Sequence, residues 1–272
     1  MTPGSRSRAP LVLALALTSC SGGPEVTESD DSIAETRSEL VSDNRIALNR
    51  IALNRLGTNR LASTPIALDS EVAGSLLSTE DGRDVLRYVV GCALPDGVTL
   101  VGNNAGVAYS FEGAIGLAPS WLVRSLDGED QRWISACLLA RVNAHDVSVQ
   151  ISLRGPHRAL RVSDEEMATY SLEEGAFWGN LFSEEATSAA WHACQGADQV
   201  AGETGDLVDR DCAEPDPARP GLTQCGIAAA GDCGDVCRSY DRGGMYFSGC
   251  AAPGRRHHDR RSREVITVFV KP

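Results

Sequence analysis

The chain has 272 residues, 42% of them hydrophobic and 23% charged, and a formal net charge of −12. That length supports one substantial core, and the acidic balance argues against nucleic acid or an anionic lipid surface as a general partner. No apolar run after Cys20 approaches the roughly 18–20 residues of a transmembrane helix.

At the N-terminus, Arg6 and Arg8 precede the apolar stretch Leu11-Val12-Leu13-Ala14-Leu15-Ala16-Leu17, and Thr18-Ser19 lead into Cys20. A basic segment, a short apolar segment and small residues, in that order, read as an export signal over 1–19. The small residues before Cys20 resemble the lipobox of bacterial lipoproteins. The resemblance implies that 1–19 are removed, that Cys20 is the lipidation site, and that the membrane is a partner through lipid alone; several acyl chains anchor a protein firmly. Ser21 stands where an aspartate would resemble the inner-membrane retention signal, so the same comparison points to the outer membrane or cell surface. The plainer alternative is a secretory signal with an incidental cysteine.

Residues 20–43 carry Glu25, Glu28, Asp30, Asp31, Glu35 and Glu39 among glycine and serine, the composition of an acidic disordered tether. Over 44–68 the pair Asn-Arg recurs at 44–45, 49–50, 54–55 and 59–60, each time followed by Ile46, Ile51, Leu56 or Leu61. A period of five matches neither helix nor strand. It resembles pentapeptide-repeat solenoids in spacing but lacks their small-polar-apolar triplet, and four copies are few for a freestanding stack. The expectation is a repeat spacer, or a short element docked on the globular domain. Residues 1–68 as a whole resemble uncharacterised secreted lipoproteins of myxobacteria with Asn/Ala-Leu repeats. That resemblance implies a cell-surface home and brings no catalytic residue with it.

Residues 69–272 are expected to form a single α+β domain, with an antiparallel sheet, two packed helices and a Cys-rich, loop-heavy second half over 194–250. The first helix is expected at 78–93, capped by Ser78 with Asp81 at the third position, and burying Val85, Val89 and Cys92. Pro95-Asp96-Gly97 should stop it. Strands are expected at 98–101 and 107–117. A second helix over 129–142 places Trp133, Ile134, Cys137, Leu138 and Arg141 at helical spacing. Further strands are expected at 147–153, where apolar and polar residues alternate, at 175–182 and at 265–270.

Without Cys20, eight cysteines remain: Cys92, Cys137, Cys194, Cys212, Cys225, Cys233, Cys237 and Cys250. An even count in an exported chain predicts disulfides, with connectivity left open. Cys92 and Cys137 fall on the apolar faces of the two helices, where a bridge explains both better than a nucleophile assisted by His145 or His192. His192-x-Cys194 and Cys233-x-x-x-Cys237 lack paired zinc-ligand spacing, so no metal or other cofactor is expected.

The acidic segment 203–216 lacks the ligand order of a calcium loop. Glu165/Glu166, Glu173/Glu174 and Glu184/Glu185 are too ordinary to nominate a glycosidase, and no GxSxG elbow or phosphate loop occurs. No catalytic residue is therefore assigned. Two binding candidates stand out. The basic run contains Arg255, Arg256, Arg260 and Arg261, suited to oxyanions of a surface polysaccharide, although the acidic domain can neutralise it. Trp178 beside Asn180 would suit stacking on a sugar, or else core packing. The favoured activity is non-enzymatic binding of a surface polysaccharide or protein ligand; the alternatives are a hydrolase using His192 with a carboxylate, or a protease-inhibitor-like use of the Cys-rich loops.

Overall fold

The computed structural model describes residues 40–41, 46, 56, 60–68, 71–145, 147–183, 190–238, 245–252 and 261–272. All belong to the compact unit Thr36–Pro272. Cys20, the export signal, most of the tether and several copies of the repeat lie outside the described residues, as do Arg255, Arg256 and Arg260.

In chain order the elements are β1 (Leu40–Val41), α1 (Glu71–Leu77), α2 (Glu80–Ala93), β2 (Thr99–Asn104), β3 (Val107–Glu112), α3 (Gly128–Ala140), β4 (Ile151–Arg154), α4 (Asp164–Thr169), β5 (Leu172–Gly179), β6 (Trp191–Gln195), α5 (Ala197–Ala201), β7 (Ala228–Asp232), α6 (Cys233–Val236) and β8 (Ile266–Val270). The fold is α+β. Six strands form a sheet in the order β1-β4-β8-β5-β6-β7, and β2-β3 is a separate hairpin. All pairings are antiparallel except β6 with β7.

Helix α2 starts later than the sequence suggests. Thr79, not Ser78, is the cap: its hydroxyl accepts the Gly82 N–H, and Glu80 and Asp81 complement the positive end of the helix. Ser78 is displaced because α1 occupies the preceding residues and turns directly into α2. Gly82 permits that turn, since a Cβ there would lie 2.2 Å from the Leu76 carbonyl oxygen. At the other end, residues 113–118 curl back along the helix. Ala114, Ile115, Leu117 and Ala118 donate to the carbonyls of Leu94, Gly91, Cys92 and Ala93, which a helix end otherwise leaves unsatisfied. This ends β3 at Glu112, well short of Leu117.

Helix α3 begins with a reciprocal cap between Asp127 and Asp130 and packs across β5 and β8. Ile151, Leu153, Phe177, Ala193, Ile266, Val268 and Val270 from the sheet share one buried cluster with residues of α2 and α3. Ile46, Leu56, Leu61, Ile66 and Leu68 are buried in the same cluster. Ile46 bridges to Val142, and the Trp121 indole donates to the Thr64 carbonyl. The described part of the repeat stretch is thus docked on the domain and contributes to its core. Leu40–Val41, at the end of the expected tether, pairs with β4.

The opposite face of the sheet is covered by a second, smaller cluster: Ala176, Trp178, Cys194, Cys233, Cys237, Phe247, Cys250 and Val265. Strand β4 is buried at every position, on both faces. The ladder covers only 151–154, and within it the alternation does not mark a solvent-exposed side; Val147 and Ser148, before it, are exposed.

Candidate functional site

The eight cysteines pair as Cys92–Cys137, Cys194–Cys233, Cys212–Cys225 and Cys237–Cys250. The first bridge joins α2 to α3. Cys137 is therefore not a thiolate, and His145 is engaged elsewhere, its Nε2 lying 2.8 Å from Asp211. Cys194, Cys233 and Cys237 bring their sulfurs within 4.8 Å of one another, yet each is already disulfide-bonded. Four disulfides fit an oxidising, extracytoplasmic compartment. Among the described residues no helix is long and apolar enough to cross a membrane.

Trp178 is not exposed for sugar stacking. It is 2% exposed, lies in the cluster behind the sheet and packs against the His192 ring at 5.5 Å. Strand β5 has protein on both faces, so its alternation assigns Phe177 to one core and Trp178 to the other. Both ends of the Asn180 amide are used: Nδ2 donates to Gln131 and Oδ1 accepts the Phe182 N–H. Of the four arginines singled out in the basic run, Arg261 is described; it is half-buried and donates to the Val236 carbonyl. In the acidic segment, Asp216 is paired with Arg219 and Asp211 with His145.

The least ordinary charges are ones the sequence made look ordinary. Glu174 and Arg210 form a fully buried ion pair at 2.9 Å. The Arg210 guanidinium also donates to the carbonyls of Ala140 and Val142, at the C-terminal end of α3. Burial pushes the Glu174 carboxyl up to about 7 against the pull of Arg210. Its neighbour Glu173 is likewise raised to about 7 by burial; the Ala197 N–H opposes the shift, and Asp198 adds to it. Nearby, Ser152 donates to Glu166, and Arg154 donates to Ser152 and to the Tyr170 carbonyl while lying 3.8 Å over the Phe269 ring. Desolvation brings Arg154 down to about 10. These interlocked, buried groups serve the packing of the sheet.

Beyond the end of β4 lies a half-open cleft of about 400 Å³, lined by Gly155–Val162, Met245 and Tyr246, with Ala159 not among the lining residues. Its size falls within the range of small-molecule sites, about 300–1,000 Å³. Gly155 lets the chain leave the sheet closely: a Cβ would meet the Val265 carbonyl oxygen at 2.8 Å and Leu160 at 3.0 Å. Pro156 then prevents continuation of the ladder. His157 caps one turn of 3-10 helix, Arg158–Leu160, its Nδ1 accepting the Ala159 N–H at 3.1 Å. Three residues per turn bring Arg158 and Arg161 to the same side, and both line the cleft. Burial and the neighbouring Arg158 lower the His157 pKa, partly offset by Asp130. The ring of Trp133 backs His157 at 5.2 Å.

Arg158 and Arg161 were not singled out by the sequence. The available signal was Gly155-Pro156 placed directly after a strand, which marks the loop but not the cleft. Among the described residues, no carboxylate, serine, threonine or cysteine lines it. Comparison of the chain with protein-family models, with curated proteins and with solved structures returned no match.

Proposed function

We propose that this protein is an exported, lipid-anchored surface module that binds a ligand without transforming it. The observation carrying this reading is the cleft at Gly155–Val162 and Met245–Tyr246: it has the size of a ligand site, and His157, Arg158 and Arg161 bring hydrogen-bonding groups to it. Export is supported by the four disulfides and by the order of charge, apolar run and small residues before Cys20. The likeness of residues 1–68 to surface lipoproteins supports the anchor.

Two measurements test it. Cys20→Ser should move the protein from the membrane fraction to the soluble fraction and remove the acyl mass; an unchanged membrane fraction and mass would rule out the anchor. The purified protein should leave peptidoglycan, peptide and ester substrates intact. Turnover that disappears in His192→Ala would replace the binding reading with a hydrolytic one.

A further inference from the structure

The cleft reverses the sign of the domain around it. The chain carries a net −12, yet among the described residues the lining includes two arginines and no carboxylate. Both arginines are exposed, and among the described residues neither has an acidic partner within ion-pair distance. Their planar forks can each present paired donors to an oxyanion. His157 adds to this. Because its Nδ1 accepts the Ala159 N–H, the neutral ring carries its proton on Nε2 and remains a donor.

The remaining lining is of a different kind. Pro156, Leu160, Val162 and Met245 are apolar, and Tyr246 offers an aromatic face with a polar edge. A bare inorganic anion would use only the arginines and His157. A ligand with an oxyanion at one end and a ring with one apolar face at the other uses both parts. Length matters as well. Surface charges act over about 8 Å at physiological salt, so a short anionic ligand experiences the local arginines, whereas a long polyanion also meets the acidic surface beyond them.

We propose that this cleft binds a short anionic saccharide, its carboxylate or sulfate held by Arg158 and Arg161 and its ring laid against Tyr246. The inference rests on the reading of the protein as a binding module and names the ligand class for that site.

The test is titration calorimetry on the full exported chain with disulfides intact, using a polyuronate trisaccharide, a sulfated trisaccharide, a neutral glucan trisaccharide and inorganic phosphate as probes. At least one anionic trisaccharide is expected to bind at least tenfold more tightly than either the neutral sugar or phosphate; which one binds separates carboxylate from sulfate recognition. Arg158→Gln with Arg161→Gln should weaken that binding at least tenfold, while Arg87→Gln, on the exposed surface of α2, should leave it unchanged. Tyr246→Leu keeps an apolar side chain but removes the ring, and should weaken the saccharide while sparing phosphate. Anionic binding that is insensitive to the double arginine variant overturns the site. Saccharide affinity unchanged in Tyr246→Leu overturns the saccharide and leaves a plain anion site. Binding of the neutral sugar alone overturns the charge argument but keeps the binding module, whereas no heat from any probe counts against both.

Discussion

The two faces of the main sheet are closed by different means. On one side α2, α3 and the docked repeat residues bury a broad apolar cluster, cross-linked by Cys92–Cys137 and Cys212–Cys225. On the other, half of the eight residues in the small cluster are cysteines, so cross-links take over much of the role of side-chain volume. The same strands serve both, since β4 and β8 are buried throughout. A sheet sandwiched in this way needs a full hydrophobic layer on only one side if the second layer is covalently tied.

The comparison is sharpest at Glu174 and Arg210, where a charge pair is buried beneath the helical layer. Removing one partner from a buried pair costs about 3–5 kcal/mol, because the other charge is left without compensation. Glu174→Ala should therefore lower stability by that amount in urea unfolding; a loss under about 1 kcal/mol would mean that water reaches Arg210. Next in size are the bridges. Cys92–Cys137 and Cys194–Cys233 span similar separations, 45 and 39 residues, so chain entropy assigns them similar contributions, typically about 2–4 kcal/mol. Their local consequences should differ. Replacing Cys92 and Cys137 by alanine leaves the helical core to hold its face, whereas replacing Cys194 and Cys233 should abolish amide-exchange protection around β7 and α6. Equal, global loss of protection in both variants would erase the distinction between the faces.

A smaller effect is expected from pH. Glu173 has its carboxyl raised from 4.5 to about 7 in the folded protein. Between those values the folded state binds more protons than the unfolded chain, so the contribution of this group to stability falls as pH rises from 4.5 through 7. Asp198 adds to the shift, and Arg154 and the Ala197 N–H oppose it. Glu174 is raised over the same range, so thermal melts should show a decline over that window that becomes shallower, without vanishing, in Glu173→Gln; an identical slope in the variant would assign the decline to other groups. The smallest change is at the cap of α3. Asp127→Ala removes the acceptor for the Glu129 and Asp130 N–H groups and should cost about 1 kcal/mol, measurable as a lower urea midpoint.

The legibility of the sequence divides along the same line. The apolar periodicities of α2 and α3 located both helices and placed Cys92 and Cys137 on facing sides, because a helix packed on one face writes that face into its spacing. Local competition was less visible: serine is on average the better cap and pointed to Ser78, but the entry of α1 moves the cap to Thr79. Glu173 and Glu174 read as an ordinary carboxylate pair, since no local pattern reveals that helices and loops cover both sides of their strand. Arg158 and Arg161 were obscured for a different reason. Lys271 is the sole lysine, so arginine occurs at every kind of basic position and its presence carries little information. The cleft emerges only when Met245 and Tyr246, some eighty residues farther along, are brought beside it.

Arg210 is the position where that abundance of arginine ceases to be interchangeable. Its guanidinium serves a carboxylate and two main-chain carbonyls at once, in directions fixed by a planar fork. A lysine there would present one compact charge to three separated acceptors. Substitution at 210 and at 174 is consequently coupled: a descendant of this chain can keep the pair or replace both with apolar residues, but changing one alone strands the other. Surface loops can drift without such constraint. In distant kin, a matched arginine and glutamate at these two places would be a more durable mark of common ancestry than the outward-facing cleft.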